Sequence, residues 1–293
     1  MSRVDPSVSS SSRLWVLAVS LMLFLTACSS SVSPPKMPGV DYQQAKLMFQ
    51  QGNLDRALSL TDPVASGSQG NSDTLNARVL RAVIFSGRIR AYKEVADACK
   101  KGSQTVANPR FRTSYDRRRS NALQYGSNAA LNLGEVVMAL ASDFPKEVTL
   151  DAPWPSAEGP EVVAALTKIR QGGWVPEDEQ DTAVLDAQHQ AIDDVLAELF
   201  GGDRNKARMA MSAGPAKIDG LDFALFLEKQ MVDGLDFFGP KYLGSPGQLK
   251  TLCGVAERLI PTIATLLKAK PDKAKDAEFK KLQKQIKDAE KYT

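Results

Sequence analysis

Apolar residues recur three and four positions apart through most of the chain after residue 40, and this spacing is the strongest constraint on its fold. In the segment DYQQAKLMFQQGNLDRALSL, Tyr42, Ala45 and Phe49 share one helical face. The pattern restarts after Gly52 and Asn53, and glycine is typical of a break between helices. The segment therefore predicts two antiparallel helices joined by a short turn.

The same periodicity predicts an all-α fold of antiparallel helical hairpins, because strand signals are nearly absent. Further helices are predicted at residues 73–101, 113–142, 161–171, 178–200, 221–232, 248–270 and 272–291. Pro261 is expected to kink one of them. The proline-rich connection at residues 143–160 predicts an internal boundary. It separates an N-terminal helical-hairpin region, residues 41–142, from a C-terminal helical region, residues 161–293.

The first hairpin resembles one tetratricopeptide repeat, a two-helix unit with small and aromatic residues at fixed spacing. Ala45 and Ala57 match the small residues at the helix contact, Gly52 matches the turn glycine, and Leu54 opens the second helix. Met48 stands where the family usually has tyrosine, and no second copy follows at a 34-residue period. The resemblance implies a hairpin within an irregular, TPR-like array. The chain is also similar in architecture to TRAP-transporter T-component lipoproteins, a resemblance that assigns no ligand residues.

A single long apolar run, LWVLAVSLMLFLT, lies near the N-terminus at residues 14–26. Its thirteen residues are too few for a transmembrane helix, which needs about 20. The length matches the apolar region of a secretory signal peptide, and Arg3 and Arg13 supply the positive flank. The run therefore predicts a signal peptide.

Leu25-Thr26-Ala27-Cys28 ends this run and resembles the lipobox of bacterial lipoproteins. The resemblance implies cleavage of residues 1–27 and acylation of Cys28, the site of lipid attachment. An ordinary secretory peptide with a chance cysteine is the alternative. Residues 28–40 are rich in serine and proline and predict a flexible tether. Ser29 is not the aspartate that retains many lipoproteins at the inner membrane, so the resemblance implies the outer membrane, or the cell membrane in an organism with a single membrane.

The charge balance and the absence of catalytic motifs restrict the classes of function that the sequence supports. Lys and Arg total 37 against 34 Asp and Glu, a balance that does not favour a nucleic-acid partner. The chain has one histidine and no G-x-S-x-G, H-E-x-x-H or P-loop motif, so we expect no enzyme activity and no cofactor. His189 lies on one helical face with Asp186 and Asp193. Without further ligands we interpret this face as solvated rather than as a metal site.

Several other residues are candidates for contacts. Cys99 and Cys253 can form a disulfide in an oxidising compartment or pack as two buried thiols. The remaining candidates for partner or ligand contacts are Arg117, Arg118, Arg119, Trp154 and Trp174.

Each of these has more than one interpretation. The arginines pair with acidic residues elsewhere in the chain, meet an anionic ligand or lipid headgroups, or form a solvated face. The tryptophans lie in loops, where they anchor a partner or plug the ends of the helices.

The word DGLDF occurs twice, at residues 219–223 and 233–237. Its four aspartates would favour a cation such as Ca²⁺ if they converged. The simpler interpretation, which we prefer, is that each copy ends one element and starts the next.

These features predict a lipid-anchored protein that faces the periplasm and acts as a protein-interaction scaffold in envelope assembly or transport. The alternative is a solute-binding accessory of a transporter, with a small molecule held inside the helices. From Lys270 onward, eight lysines accompany five acidic residues. We interpret this segment as an exposed helix, and contact with anionic lipid or peptidoglycan is the less favoured alternative.

Overall fold

Helices dominate the structure, a computed structural model that describes residues 38–67 and 71–293. The predicted signal peptide, Cys28 and the tether up to residue 37 lie outside the described residues. The first helix begins at Pro38, inside the predicted tether. Pro38–Thr293 form one compact unit.

The all-α prediction is confirmed, with one small sheet added. Two strands, β1 (Glu147–Leu150) and β2 (Ala216–Asp219), and two short 3-10 helices, Asp236–Phe238 and Glu257–Leu259, accompany the α-helices. The α-helices are α1 (Pro38–Gln50), α2 (Leu54–Ala65), α3 (Ser72–Thr105), α4 (Pro109–Ala141), α5 (Ala164–Arg170), α6 (Glu177–Leu199), α7 (Arg204–Ser212), α8 (Gly220–Leu235), α9 (Pro246–Ala256), α10 (Ile260–Ala269) and α11 (Lys273–Glu290).

The centre of the fold is the antiparallel pair α3 and α4, which are 34 and 33 residues long. The Asn71 side chain caps α3, and the Asn108 side chain caps α4. Arg78 near the start of α3 reaches the carbonyl oxygen of Ala139 near the end of α4 at 3.4 Å. The two helices therefore run along each other over most of their length, and the other elements pack around them.

The α1–α2 hairpin forms as predicted. Ala45 and Ala57 are fully buried, and Gly52 in the turn has a φ of 75°, which a residue with a Cβ atom rarely adopts. The predicted TPR-like arrangement is not confirmed, because the next helices, α3 and α4, are far longer than α1 and α2.

The second half is built around α8, whose residues are buried on nearly every side. It packs against α3, α4 and the C-terminal helices α9, α10 and α11. The predicted helix at residues 248–270 is divided into α9, a 3-10 turn and α10. Pro261 lies in the first turn of α10, where the lack of a backbone N–H removes no hydrogen bond from within the helix. The expected kink is thus a break between two helices.

The proline-rich connection contains β1, which pairs antiparallel with β2. Glu147 lies opposite Asp219 and Leu150 lies opposite Ala216. Val148 and Ile218 are directly paired and buried, so this small sheet joins the connection to the segment before α8. The strands and α7 were not predicted.

Candidate functional site

The arginine cluster on α4 is used within the fold. Arg117 forms an ion pair with Glu177, and Arg118 lies 2.6 Å from Asp181. Both acids belong to the first turns of α6, so these contacts hold α4 to α6. Arg119 is half-buried, and its Nε atom has no hydrogen-bond partner among the described residues. The three side chains do not converge on one site.

The two tryptophans pack against side chains of neighbouring helices. Trp154 is 8% exposed, and the Arg208 guanidinium lies over its ring at 5.4 Å. Trp174 is half-buried and stacks on Phe111, with ring centroids 4.1 Å apart. Both rings therefore make contacts within the chain.

Cys99 and Cys253 are free and buried, so the disulfide alternative does not describe this structure. Burial is the main cause that raises the pKa of the Cys99 thiol to about 12 and that of the Cys253 thiol to about 11. Both groups therefore remain protonated and unreactive in the folded chain.

The DGLDF aspartates form two separate ion-pair sets at opposite ends of α8. Asp219 caps α8 and lies 3.0 Å from Lys270, and Asp222 pairs with Lys275. At the other end, the second pair of aspartates faces Lys93. The simpler interpretation of the repeated word holds, since the first copy starts α8 and the second ends it.

The structure brings His189 to the turn of the first hairpin. The His189 Nε2 atom lies 3.4 Å from the Gly52 carbonyl oxygen. A Cβ atom at Gly52 would lie 2.8 Å from that Nε2 atom and 2.7 Å from the Ala157 Cβ. Only glycine therefore fits here, both for its positive φ and for the close approach of α6.

The predicted solvated face around His189 is wrong for Asp193, which is 1% exposed. Burial raises the pKa of this carboxyl to about 6, although Arg204 and the Gly159 N–H partly oppose the shift. The Gly159 N–H donates to it at 3.3 Å. Asp193 thus fastens the loop before α5 to α6 and does not form a site with His189.

A surface cleft of about 310 Å³ opens beside His189, and we call it the turn cleft. Among the residues that line it are Asn53, Asp55, Arg88, Leu185, Gln188 and His189. Arg88 and Asp55 form an ion pair of 2.5 Å at its edge, and the Leu185 side chain is 55% exposed. Three helices, α2, α3 and α6, and the turn before α2 therefore supply charged, polar and apolar groups to one concave surface.

Two stacked tyrosines lie near the turn cleft, on α3 and α4. Tyr92 follows Arg88 by one turn of α3 and stacks on Tyr125 with ring centroids 5.6 Å apart. Tyr125 is 54% exposed. Burial is the main cause that raises the pKa of the Tyr92 hydroxyl. The exposed Tyr125 ring is of a residue type that is enriched at protein interfaces.

A second cleft, of about 570 Å³, is charged and centres on Glu198. The Glu198 carboxylate pairs with Arg90 and, at 2.6 Å, with Lys229. Asp194 and Arg204 form another pair in the same cleft, 2.8 Å apart. The positive and negative groups balance, and we call this the charged cleft. Sequence analysis missed it because the pairs join residues up to 108 positions apart.

No helix within residues 38–67 and 71–293 has the length and apolarity needed to cross a lipid bilayer. In the same part of the chain, no three His, Cys, Asp or Glu side chains are grouped so that they could hold a metal ion. Comparison with protein-family models, with curated proteins and with solved structures finds no match for the chain.

Proposed function

We propose that this chain is a lipid-anchored envelope protein that faces the periplasm and binds another envelope protein through the turn cleft. The proposed anchor is supported by the motif Leu25-Thr26-Ala27-Cys28, which ends a thirteen-residue apolar run. Several acyl chains on Cys28 would hold the protein firmly at a membrane, because each buried methylene contributes about 0.8 kcal/mol. Ser29 favours the outer membrane.

The turn cleft supports the binding role. Leu185 in the cleft and Tyr125 near it are both exposed, and a partner would remove their apolar surface from water. The Asp55 side chain, which is 90% exposed, offers a charge that would orient a partner. The role is non-catalytic, since the one histidine contacts the hairpin turn rather than a nucleophile.

Mass spectrometry of the protein extracted from native envelopes tests the anchor. We expect a mature chain that begins at Cys28 and carries fatty acyl groups on this residue. The Cys28→Ser variant is expected to accumulate as an uncleaved precursor. A native chain that retains residues 1–27, or a Cys28 without acyl groups, contradicts the proposal.

Site-specific photocrosslinking in intact cells tests the binding surface. A benzophenone side chain placed at Leu185 is expected to give one discrete crosslinked product. The matched control is Met209 on α7, which is 74% exposed and lies outside the turn cleft. Tyr125→Ala is expected to reduce the product. Equal crosslinking from both positions would mean that the turn cleft has no preferred partner.

The charged cleft favours the second candidate function, a solute-binding accessory. Its paired charges, among them Arg90, Glu198 and Lys229, match a small zwitterionic solute that would exchange with these ion pairs. Native mass spectrometry of the protein released from envelopes tests this function. A bound small molecule that is absent from the Glu198→Gln variant supports it, and an empty protein in both samples argues against it.

A further inference from the structure

The last helix, α11, carries a row of lysines along one exposed face. Lys273, Lys280, Lys284, Lys287 and Lys291 follow at intervals of seven, four, three and four residues. These intervals keep all five within about 60° around the helix axis, and the row is about 27 Å long. All five are exposed. We call this row the lysine face.

The opposite side of α11 fixes this orientation. Phe279, Leu282 and Ile286 are buried there against the body of the fold. The helix is capped by Asp272, which accepts hydrogen bonds from two backbone N–H groups. The lysine face therefore belongs to a packed helix and keeps its geometry without a partner.

Little negative charge neutralises the row. Asp276 pairs with Lys280 and Asp288 pairs with Lys291, each at 2.6 Å. Among the described residues, no carboxylate oxygen lies within 4.0 Å of the ammonium groups of Lys273, Lys284 and Lys287. The Asp288 carboxylate acts on Lys284 only through space, and an anionic surface would neutralise these three charges directly.

The composition of the face favours a membrane over a protein as that surface. It contains lysine without arginine, and its apolar residues are turned inward. Protein interfaces use arginine and aromatic anchors and are depleted in lysine. Rows of lysine near a bilayer bind anionic lipid by charge alone, with little demand on geometry. Tyr292, 61% exposed at the end of the row, is of the residue type enriched at membrane interfaces.

Contacts within the fold place this face near the start of the folded unit. Lys270, just before α11, lies 3.0 Å from Asp219. Asp219 is paired with Glu147 at one end of β1, which is about 13 Å long. Asp151, just beyond its other end, accepts a hydrogen bond from Tyr42 in α1. The starts of α1 and α11 are separated by little more than this strand and the side chains at its ends.

Only nine residues lie between Cys28 and Pro38, and the ten Cα–Cα steps from one to the other span at most about 36 Å when fully extended. A lipid at Cys28 would therefore hold the lysine face within reach of the same bilayer. We infer that the lysine face of α11 docks on anionic phospholipid headgroups, so that the folded unit lies against the membrane. This inference rests on the proposed lipid anchor.

Amine labelling on vesicles tests the docking. The native lipidated protein is reconstituted on phosphatidylglycerol vesicles and, separately, on phosphatidylcholine vesicles, and acetylation of each lysine is followed by mass spectrometry. We expect Lys284 and Lys287 to react at least threefold more slowly on phosphatidylglycerol and to recover at high salt. Lys101 and Lys168, on α3 and α5, are expected to react equally on both. Equal rates for the lysine face overturn the inference.

A charge-neutralising variant supplies the second measurement. Lys280→Gln, Lys284→Gln and Lys287→Gln together are expected to abolish the protection of Lys273 on phosphatidylglycerol, since each lysine contributes about fivefold to such binding. The matched control neutralises Lys100, Lys101 and Lys168 and is expected to keep that protection. Circular dichroism checks that both variants fold. Protection that survives the first variant overturns the inference.

Flotation of the vesicles separates this inference from the anchor. A protein that floats with both lipids, but whose lysine face reacts equally on both, has the anchor and lacks the docking. A protein that floats with phosphatidylglycerol alone docks through its charges and lacks the anchor. A protein that floats with neither overturns both proposals.

Discussion

The Tyr42 hydroxyl donates a hydrogen bond of 2.8 Å to the backbone carbonyl of Asp151, across 109 residues of sequence. The Asp151 carboxylate also forms an ion pair of 2.9 Å with Lys46, one turn further along α1. The Ser156 N–H and hydroxyl donate to the carbonyl oxygen of Gln50, at the end of the same helix. The connection after β1 thus holds α1, the first helix after the predicted anchor, along its whole length.

Tyr42→Phe is expected to lower the free energy of unfolding by about 1–2 kcal/mol. The substitution removes the donor and leaves the Asp151 carbonyl without this partner, while the buried ring keeps its packing. Urea unfolding measures the change. Tyr125→Phe, at an exposed hydroxyl, is the control and is expected to change stability little. If Tyr42→Phe and the parent chain were equally stable, water would replace the hydrogen bond to Asp151 without loss of folding free energy.

Replacement of a helical glycine by alanine is expected to have opposite effects on stability at two positions. A Cβ at Gly126 in α4 would lie 2.2 Å from the Phe237 Cζ atom, and the Phe237 ring is fully buried. Gly126→Ala is therefore expected to destabilise the fold by about 1–3 kcal/mol. A Cβ at Gly254 in α9 would meet nothing within 4 Å. Gly254→Ala is expected to stabilise the fold by up to about 1 kcal/mol, because alanine favours the helix.

Thermal unfolding of both variants checks the pair. The two midpoints are expected to move in opposite directions from that of the parent chain. If both variants were destabilised, α9 would pack more tightly at Gly254 than the structure shows. If both were stabilised, Phe237 would have room to move.

Sequence periodicity predicted those parts of the fold that depend on local spacing. Gly52 and the helical spacing of Tyr42, Ala45 and Phe49 on one face predicted the α1–α2 hairpin, and the structure contains this hairpin. The strands were missed because each is four residues long and acquires its hydrogen bonds from a partner far along the chain. Short strands carry almost no periodic signal of their own.

The candidate site was less predictable for the same reason. Sequence analysis had both the Gly52 turn and His189, but their contact joins residues 137 positions apart. The Arg90–Glu198 pair is of the same kind, since a charged residue in a helical pattern is assigned to the solvated side by default. Residues predicted from their type alone, such as Trp154 and Trp174, proved to be packed within the fold.

The count of reactive thiols distinguishes the cysteine hypotheses. In the folded chain, Cys99 and Cys253 are expected to react slowly with a thiol reagent, because burial raises both pKa values and blocks access. After unfolding in guanidinium, two thiols per chain are expected if Cys28 carries lipid. Three thiols would show that Cys28 is bare. Fewer than two, with recovery after reduction, would reveal a disulfide between Cys99 and Cys253.

Glu228 is expected to make stability depend on pH. The residue is fully buried in α8, and neither carboxyl oxygen has a hydrogen-bond partner among the described residues. Burial, with a smaller contribution from the Glu257 carboxylate, raises its pKa from 4.5 to about 8. The unfolded chain loses this proton above about pH 4.5, whereas the folded chain keeps it until about pH 8. The folded state binds more protons in that range, so the free energy of unfolding falls as the pH rises.

Glu228→Gln removes this titration and keeps the shape of the side chain. The variant is expected to be more stable than the parent chain by a few kcal/mol at pH 8, and the difference is expected to vanish toward pH 4.5. Urea unfolding at several pH values measures the difference. Asp193, whose pKa is raised to about 6, adds a slope of the same sign to both proteins and cancels in the comparison. A difference that stays constant from pH 4.5 to pH 8 would mean that Glu228 finds a partner or water when it ionises.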